Sequence, residues 1–329
     1  MRIALALGLL PAILLIEAAT ADAPASADPV VKEWKVEWGG RPRDPYVAPD
    51  GKVWFVGQAG NYIARFDPAT QEFRRYEIED GTNPHNLIVD EDGFVWYAGN
   101  RNGRIGKLDP ATGKAKTFMT GEARDPHTMV FDGKGHIWFT SQQSNRVGRL
   151  AMATGNYELV TPDESAARPY GIVIDNKGNP WVSLFSTSHV IRVDPKTLKV
   201  IPYSKATPES RSRRIEVTGD GSVWYVDEPR GFLGRIDPAN GEVKEFAMPG
   251  GAGSRPYALT RDGKDRLWIS QTGPDKKLVA FDPRTERFVS VNDVSHTIRH
   301  MMYDDATGAM WFGTDANQIG RILTGRAAN

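Results

Sequence analysis

Seven large polar residues, Arg43, His85, His127, Tyr170, Arg213, Tyr257 and His300, stand at one fixed place in this chain, each eleven residues before a tryptophan. Their flanks hold constant while the residue itself changes, as expected when a repeated frame gives separate jobs to its copies. Two Arg, three His and two Tyr would make a donor-rich, cationic or neutral mouth suited to carbonyls, carboxylates or esters. A histidine there can take a proton near neutral pH while Arg, Tyr or a metal ion polarises a carbonyl. Three imidazoles can also bind a metal, although their spacing favours a pair, His85 with His127, over a compact three-histidine site. The plainer reading is a hydrogen-bonded plug that seals a channel. His136 and His189 read as structural or solvated, and His296 as a loop residue near the mouth.

The elements that position these residues follow from the tryptophans themselves. Trp54, Trp96, Trp138, Trp181, Trp224, Trp268 and Trp311 are spaced by 42, 42, 43, 43, 44 and 43 residues. A fixed period of this size, holding several short β-rich runs, predicts an all-β, seven-bladed β-propeller with four strands per blade. In each repeat an apolar inner strand leads into the Trp strand, often through an Asp-Gly turn such as Asp50-Gly51, Asp92-Gly93 or Asp132-Gly133. The third strand carries an Ile-Gly-Arg-Leu pattern and usually ends in Asp-Pro, and the fourth alternates like a strand with one wet face. The seven polar residues then sit at the start of the innermost strands and converge on one mouth of the axial channel. The loops after the Trp strands open on the same face and add Gln58, Asn100, Gln142, Asp227, Glu228, Gln271 and Asp315. A β-sandwich or an α/β domain fails on the period, and no segment shows a sustained 3.6-residue pattern.

Residues 1–21 have the layout of a secretory signal peptide, with cleavage expected near Ala21 or as late as Ala27. That makes the expected location periplasmic or secreted, with no membrane span after cleavage. Residues 22–329 read as one propeller domain. Val30 to Trp38 alternates like an outer strand, while the last repeat has none of its own, so the N-terminal strand should close the ring in the C-terminal blade. Cysteine is absent, which excludes disulfides, thiolate metal sites and lipid-bearing cysteine. Lys plus Arg equals Asp plus Glu at 41 each, so no global field draws in nucleic acid, and a monomer is expected.

At these residues the chain resembles the streptogramin B lyase (virginiamycin B lyase) family. The resemblance is carried by the Pro-His strand starts, by Trp54-Phe55, Trp138-Phe139 and Trp311-Phe312, and by the Asn-x-Ile/Val-Gly-Arg pattern at Asn145 to Arg149 and Asn317 to Arg321. It implies a propeller that opens a cyclic depsipeptide by elimination at its ester, using a His base and a magnesium ion near the mouth. Carried over by position, the base is His300, Asp315 holds the divalent ion, and the family's second essential histidine falls on Tyr257. Arg43, beside His300 across the closure, would orient the substrate carbonyl, while His85, His127, Tyr170, Arg213 and Tyr257 would contact the substrate. Two other readings are a non-catalytic binding or scaffold propeller of the cell envelope and a lactonase-like metal hydrolase. The hydrolase needs axial ligands that Asn100, Asp227, Glu228 and Asp315 would have to supply.

Overall fold

Each repeat supplies apolar runs of four to seven residues separated by Gly, Asp and Pro, too short for helices and bounded for strands. In the computed structural model, which describes residues 31–162 and 165–324, they form seven antiparallel four-stranded sheets. The second blade is typical, running Pro84–Val89, Val95–Gly99, Arg104–Leu108 and Ala115–Met119 from axis to rim. The seventh is built from both ends of the propeller. Val31–Lys35 pairs outside Gln318–Leu323, with Val31 opposite Ile322 and Lys35 opposite Gln318. This is the expected closure. The predicted signal segment lies outside the described residues, and no helix among those residues is long and apolar enough to cross a membrane.

The repeated pattern has a packing cause. On the Trp strand, the aromatic after Trp138 is Phe139, and it lies opposite Gly148 of the third strand. A Cβ on Gly148 would meet the Phe139 ring at 2.1 Å, so the glycine is what lets the ring lie flat across the strand. The same pairing joins Tyr97 to Gly106, Tyr225 to Gly234 and Phe312 to Gly320. Trp138 itself faces Arg149, whose guanidinium lies 5.3 Å from the indole centroid. Gly-Arg is thus a cross-strand partner for Trp-Phe or Trp-Tyr. In three blades an Asp six residues before the tryptophan accepts the indole N–H, as Asp90 does from Trp96 at 2.8 Å.

The inner strands share one irregularity that creates the axial site. In blades 2 to 7 two consecutive residues of the inner strand oppose a single residue of the Trp strand, as His85 and Asn86 oppose Ala98. Such a bulge re-aims side chains and leaves backbone groups without ladder partners. Hydroxyls repair the ladder. Ser183 Oγ accepts from the Gly171 amide at 2.9 Å and donates to the Arg213 carbonyl in the next blade at 2.6 Å. Thr140 and Ser270 do the same for blades 3 and 6.

Candidate functional site

Because of the bulge, the axis carries two polar layers. The outer one contains Arg43, His85, His127, Tyr170, Arg213 and Tyr257, as the count from the tryptophans expects. The last blade differs: Ile298 pairs with Thr314 and Met301 with Phe312, so Arg299 occupies the ring position and His300 the layer beneath. The cause is a hairpin one residue longer, with Met302 nine residues before Trp311 where the other blades have eight. His300 therefore sits level with Asp44, Asn86, Thr128 and Arg214.

The ring is a connected set of contacts. His85 and His127 stack with ring centroids 3.6 Å apart, and His85 Nδ1 donates to the His127 carbonyl at 3.2 Å. His127 Nδ1 and the Thr128 hydroxyl are 2.9 Å apart. Both imidazoles are held neutral, His85 by burial and the charges of Arg43 and Arg214, His127 by burial, His85 and Arg214. The His127 ring lies 4.4 Å from Tyr170, whose hydroxyl meets that of Tyr257 across the axis. Three arginines act on this pair, Arg43 through its charge and Arg213 and Arg299 by ring contact. Arg213 lies 4.9 Å from the Tyr257 ring and 5.1 Å from Tyr170, and Arg299 lies 5.2 Å from Tyr257. Burial pushes both phenols up, but Arg213 and Arg43 with the Tyr170 hydroxyl bring Tyr257 below its ordinary value, while Tyr170 stays raised.

Each ring arginine is steered by the loop residue four positions after a tryptophan. Arg43 donates to Gln58 Oε1 at 2.9 Å, Arg213 to Glu228, and Arg299 grips both oxygens of Asp315, the shortest contact being 2.7 Å. Arg41 and Arg255 add further charge at the rim, 3.7 Å from Asp315 and 3.0 Å from Glu228. Arg41, Arg168 and Arg255, each two residues before a ring position, have φ values of 59°, 56° and 47°. Left-handed backbone at a non-glycine residue costs of order 1 kcal/mol and recurs at functional sites. This run of rim arginines has no counterpart in the count from the tryptophans, though its two-residue offset was there to be found.

Beneath the ring, Asp44 is fully buried between two cations. Arg43 Nε donates to its Oδ1 at 3.1 Å and Arg214 to its Oδ2 at 3.4 Å, with Asn86 Nδ2 at 3.2 Å. Burial alone would raise this carboxyl, yet Arg43, His300 and Arg214 hold it well below the usual carboxylate range. Arg214 also donates to Thr128 Oγ1 at 3.1 Å. His300 is pushed down to about 4, by burial first and then by Arg214 and Arg43.

The residues do not fit a magnesium site. Magnesium prefers oxygen ligands, both oxygens of Asp315 accept from Arg299, and no group of three His, Asp or Glu that could hold a metal occurs among the described residues. The scattered alternatives are also taken: Asn100 donates to the Asp125 and Pro126 carbonyls, Asp227 is paired with Arg230, and Glu228 with Arg213 and Arg255.

Fold and site together define a seven-bladed propeller closed by its N-terminal strand, with an arginine-framed polar axis. The chain belongs to the virginiamycin B lyase family, whose pattern matches residues 31–322. A curated relative, virginiamycin B lyase of Nocardia farcinica, is 28% identical over 103 residues, a match spanning 31% of this chain and 34% of that relative's length. Two solved Staphylococcus aureus structures share the fold. Virginiamycin B lyase superposes with a TM-score of 0.81 at 21% identity, covering 90% of this chain and 99% of that one. A catalytically inactive form with quinupristin superposes at 0.82 and 22% identity, with the same coverage.

Proposed function

We propose that this chain is an exported C–O lyase that opens an ester by elimination at the arginine-framed mouth. The observation that carries this reading is the Tyr170–Tyr257 hydroxyl pair enclosed by Arg43, Arg213 and Arg299. Tyr257 serves as base in preference to His300, because the imidazole lies one layer below the ring and the phenol lies in it. As the phenolate, Tyr257 removes a proton from the carbon beside a carbonyl. The C–H electrons form a C=C bond, the neighbouring C–O bond breaks, and a carboxylate leaves with its electron pair. The three guanidiniums stabilise the charge that develops on the carbonyl and on the leaving carboxylate, a role suited to fixed bidentate donors. The substrate gains access when the Tyr170–Tyr257 contact parts. No step depends on magnesium.

Quinupristin and virginiamycin B, named for relatives, are the first substrates to offer. Elimination yields a ring-opened product of unchanged mass, whereas hydrolysis adds a water. Tyr257→Phe should lower kcat about a hundredfold or more while the protein stays folded, in line with loss of a general base. EDTA should leave the rate unchanged. Undiminished turnover in Tyr257→Phe, or a rate abolished by EDTA and restored by magnesium, would sink this mechanism.

A second reading is a non-catalytic binding propeller of the envelope, favoured by the deep burial and mutual pairing of the ring, where Arg43, His85, His127, Tyr170 and Tyr257 are each at most 7% exposed. Binding of such esters without turnover would select it.

A further inference from the structure

The axial channel does not end at the ring. On its far side, between the inner strands, lies a cavity of about 270 Å³ whose inner end is formed by Asn86, Thr128, Arg214 and His300. Its walls are apolar, with Leu87, Met129, Ile172, Ile215, Leu259 and Met301 among them. Glu216, Thr260 and Met302 line both this cavity and a cleft beside the Asp262 and Asp265 turn, so it opens toward the turn face, away from the arginine mouth. The ring separates the two.

Two features of the inner end point to a ligand. Among the described residues neither Arg214 Nε nor His300 Nδ1 has a hydrogen-bond partner, although both atoms are buried and Arg214 is only 3% exposed. Arg214 also has no carboxylate of its own, because Asp44 is shared between it and Arg43. A buried guanidinium without an anion is costly. The imidazoles of His85, His127 and His300 add no charge at neutral pH; among the described residues Glu216, at the outer end, is the acid that lines the cavity, while Asp44 lies behind its inner end, turned onto Arg214 and Asn86.

We infer that this lumen is a second binding site, on the opposite face from the mouth, for a small monocarboxylate with an apolar body. The carboxylate accepts from Arg214 Nε and from His300 Nδ1 in the tautomer that carries hydrogen there. The body lies along the aliphatic and methionine walls. Glu216 disfavours a second negative charge at the outer end and so selects against dicarboxylates. The site is independent of the reaction at the mouth.

The test is titration calorimetry of the folded, full-length mature chain with hexanoate, set beside hexanol and adipate. Hexanoate should bind and the other two should not. Arg214→Met should weaken hexanoate about tenfold or more, as expected for a lost charge-assisted hydrogen bond. Should that variant fail to fold, Glu216→Gln carries the test, because removing the like charge should tighten hexanoate and admit adipate. Arg255→Ala, at the mouth, should leave hexanoate affinity unchanged. The inference is overturned by hexanol binding as well as hexanoate, by no hexanoate binding, by an unaltered affinity in Glu216→Gln, or by loss of binding in Arg255→Ala.

Discussion

Asp44 and His300 make the axis sensitive to acid for two reasons of the same sign. The folded carboxyl of Asp44 lies below its ordinary value, so its stabilisation is present above the unfolded pKa near 3.8 and is lost as pH falls through and below it. The imidazole of His300, lowered from 6.5 to about 4, remains neutral in the fold while the unfolded chain takes up a proton. Stability therefore falls as pH drops from 6.5 toward 4, and His85 and His127 add to the slope. His300→Gln should flatten the dependence of the urea midpoint on pH in that window by about one proton. An unchanged slope would mean that His300 is solvated. Asp44→Asn should destabilise by about 3–5 kcal/mol, because it leaves Arg43 and Arg214 buried without their carboxylate.

At the scale of the element, the N-terminal strand is the most testable part. Trp34 stacks on Trp311 at 5.7 Å and tilts against Phe66 at 4.8 Å, so a single side chain joins the last blade to the first. Val36, 1% exposed, is buried in the same cluster. Trp34→Ala should lower the unfolding free energy by about 2 kcal/mol, the value for a half-buried aromatic. Deleting residues 31–38 should do more than destabilise, since it bares the edge of Gln318–Leu323 for pairing with other chains. Size-exclusion chromatography would then show oligomers or aggregate; a stable monomer would mean that the closure is dispensable.

For the whole molecule, balanced composition conceals an uneven surface. Lys plus Arg equals Asp plus Glu, yet Arg41, Arg43, Arg213, Arg255 and Arg299 meet at one mouth, where Glu228 and Asp315 pair with four of them and Asp44 with Arg43. Affinity for a carboxylate-bearing ester at the mouth should fall as salt rises from 0.05 to 0.5 M by an amount that Arg299→Ala reduces, roughly as screening of partly exposed charges requires. A salt-independent affinity would assign recognition to uncharged contacts.

The seven tryptophans, four of them facing a Gly-Arg or Gly-Lys pair, specified the propeller, because cross-strand packing repeats in the chain where it repeats in space: the glycine under Phe139 recurs under Tyr97, Tyr225 and Phe312. The identity of most ring residues was readable for the same reason. The tertiary structure decided what depends on register and on contact between blades. One extra residue in the last hairpin exchanges Arg299 for His300 in the ring, a shift that counting from Trp311 does not register. Arg214, Asp44 and Thr128 come from three different blades, and no linear spacing announces that a carboxylate 170 residues from an arginine is its counter-ion. The bulge that turns two neighbouring residues toward the axis is likewise a property of the paired strands, written in the serine and threonine hydroxyls that repair it.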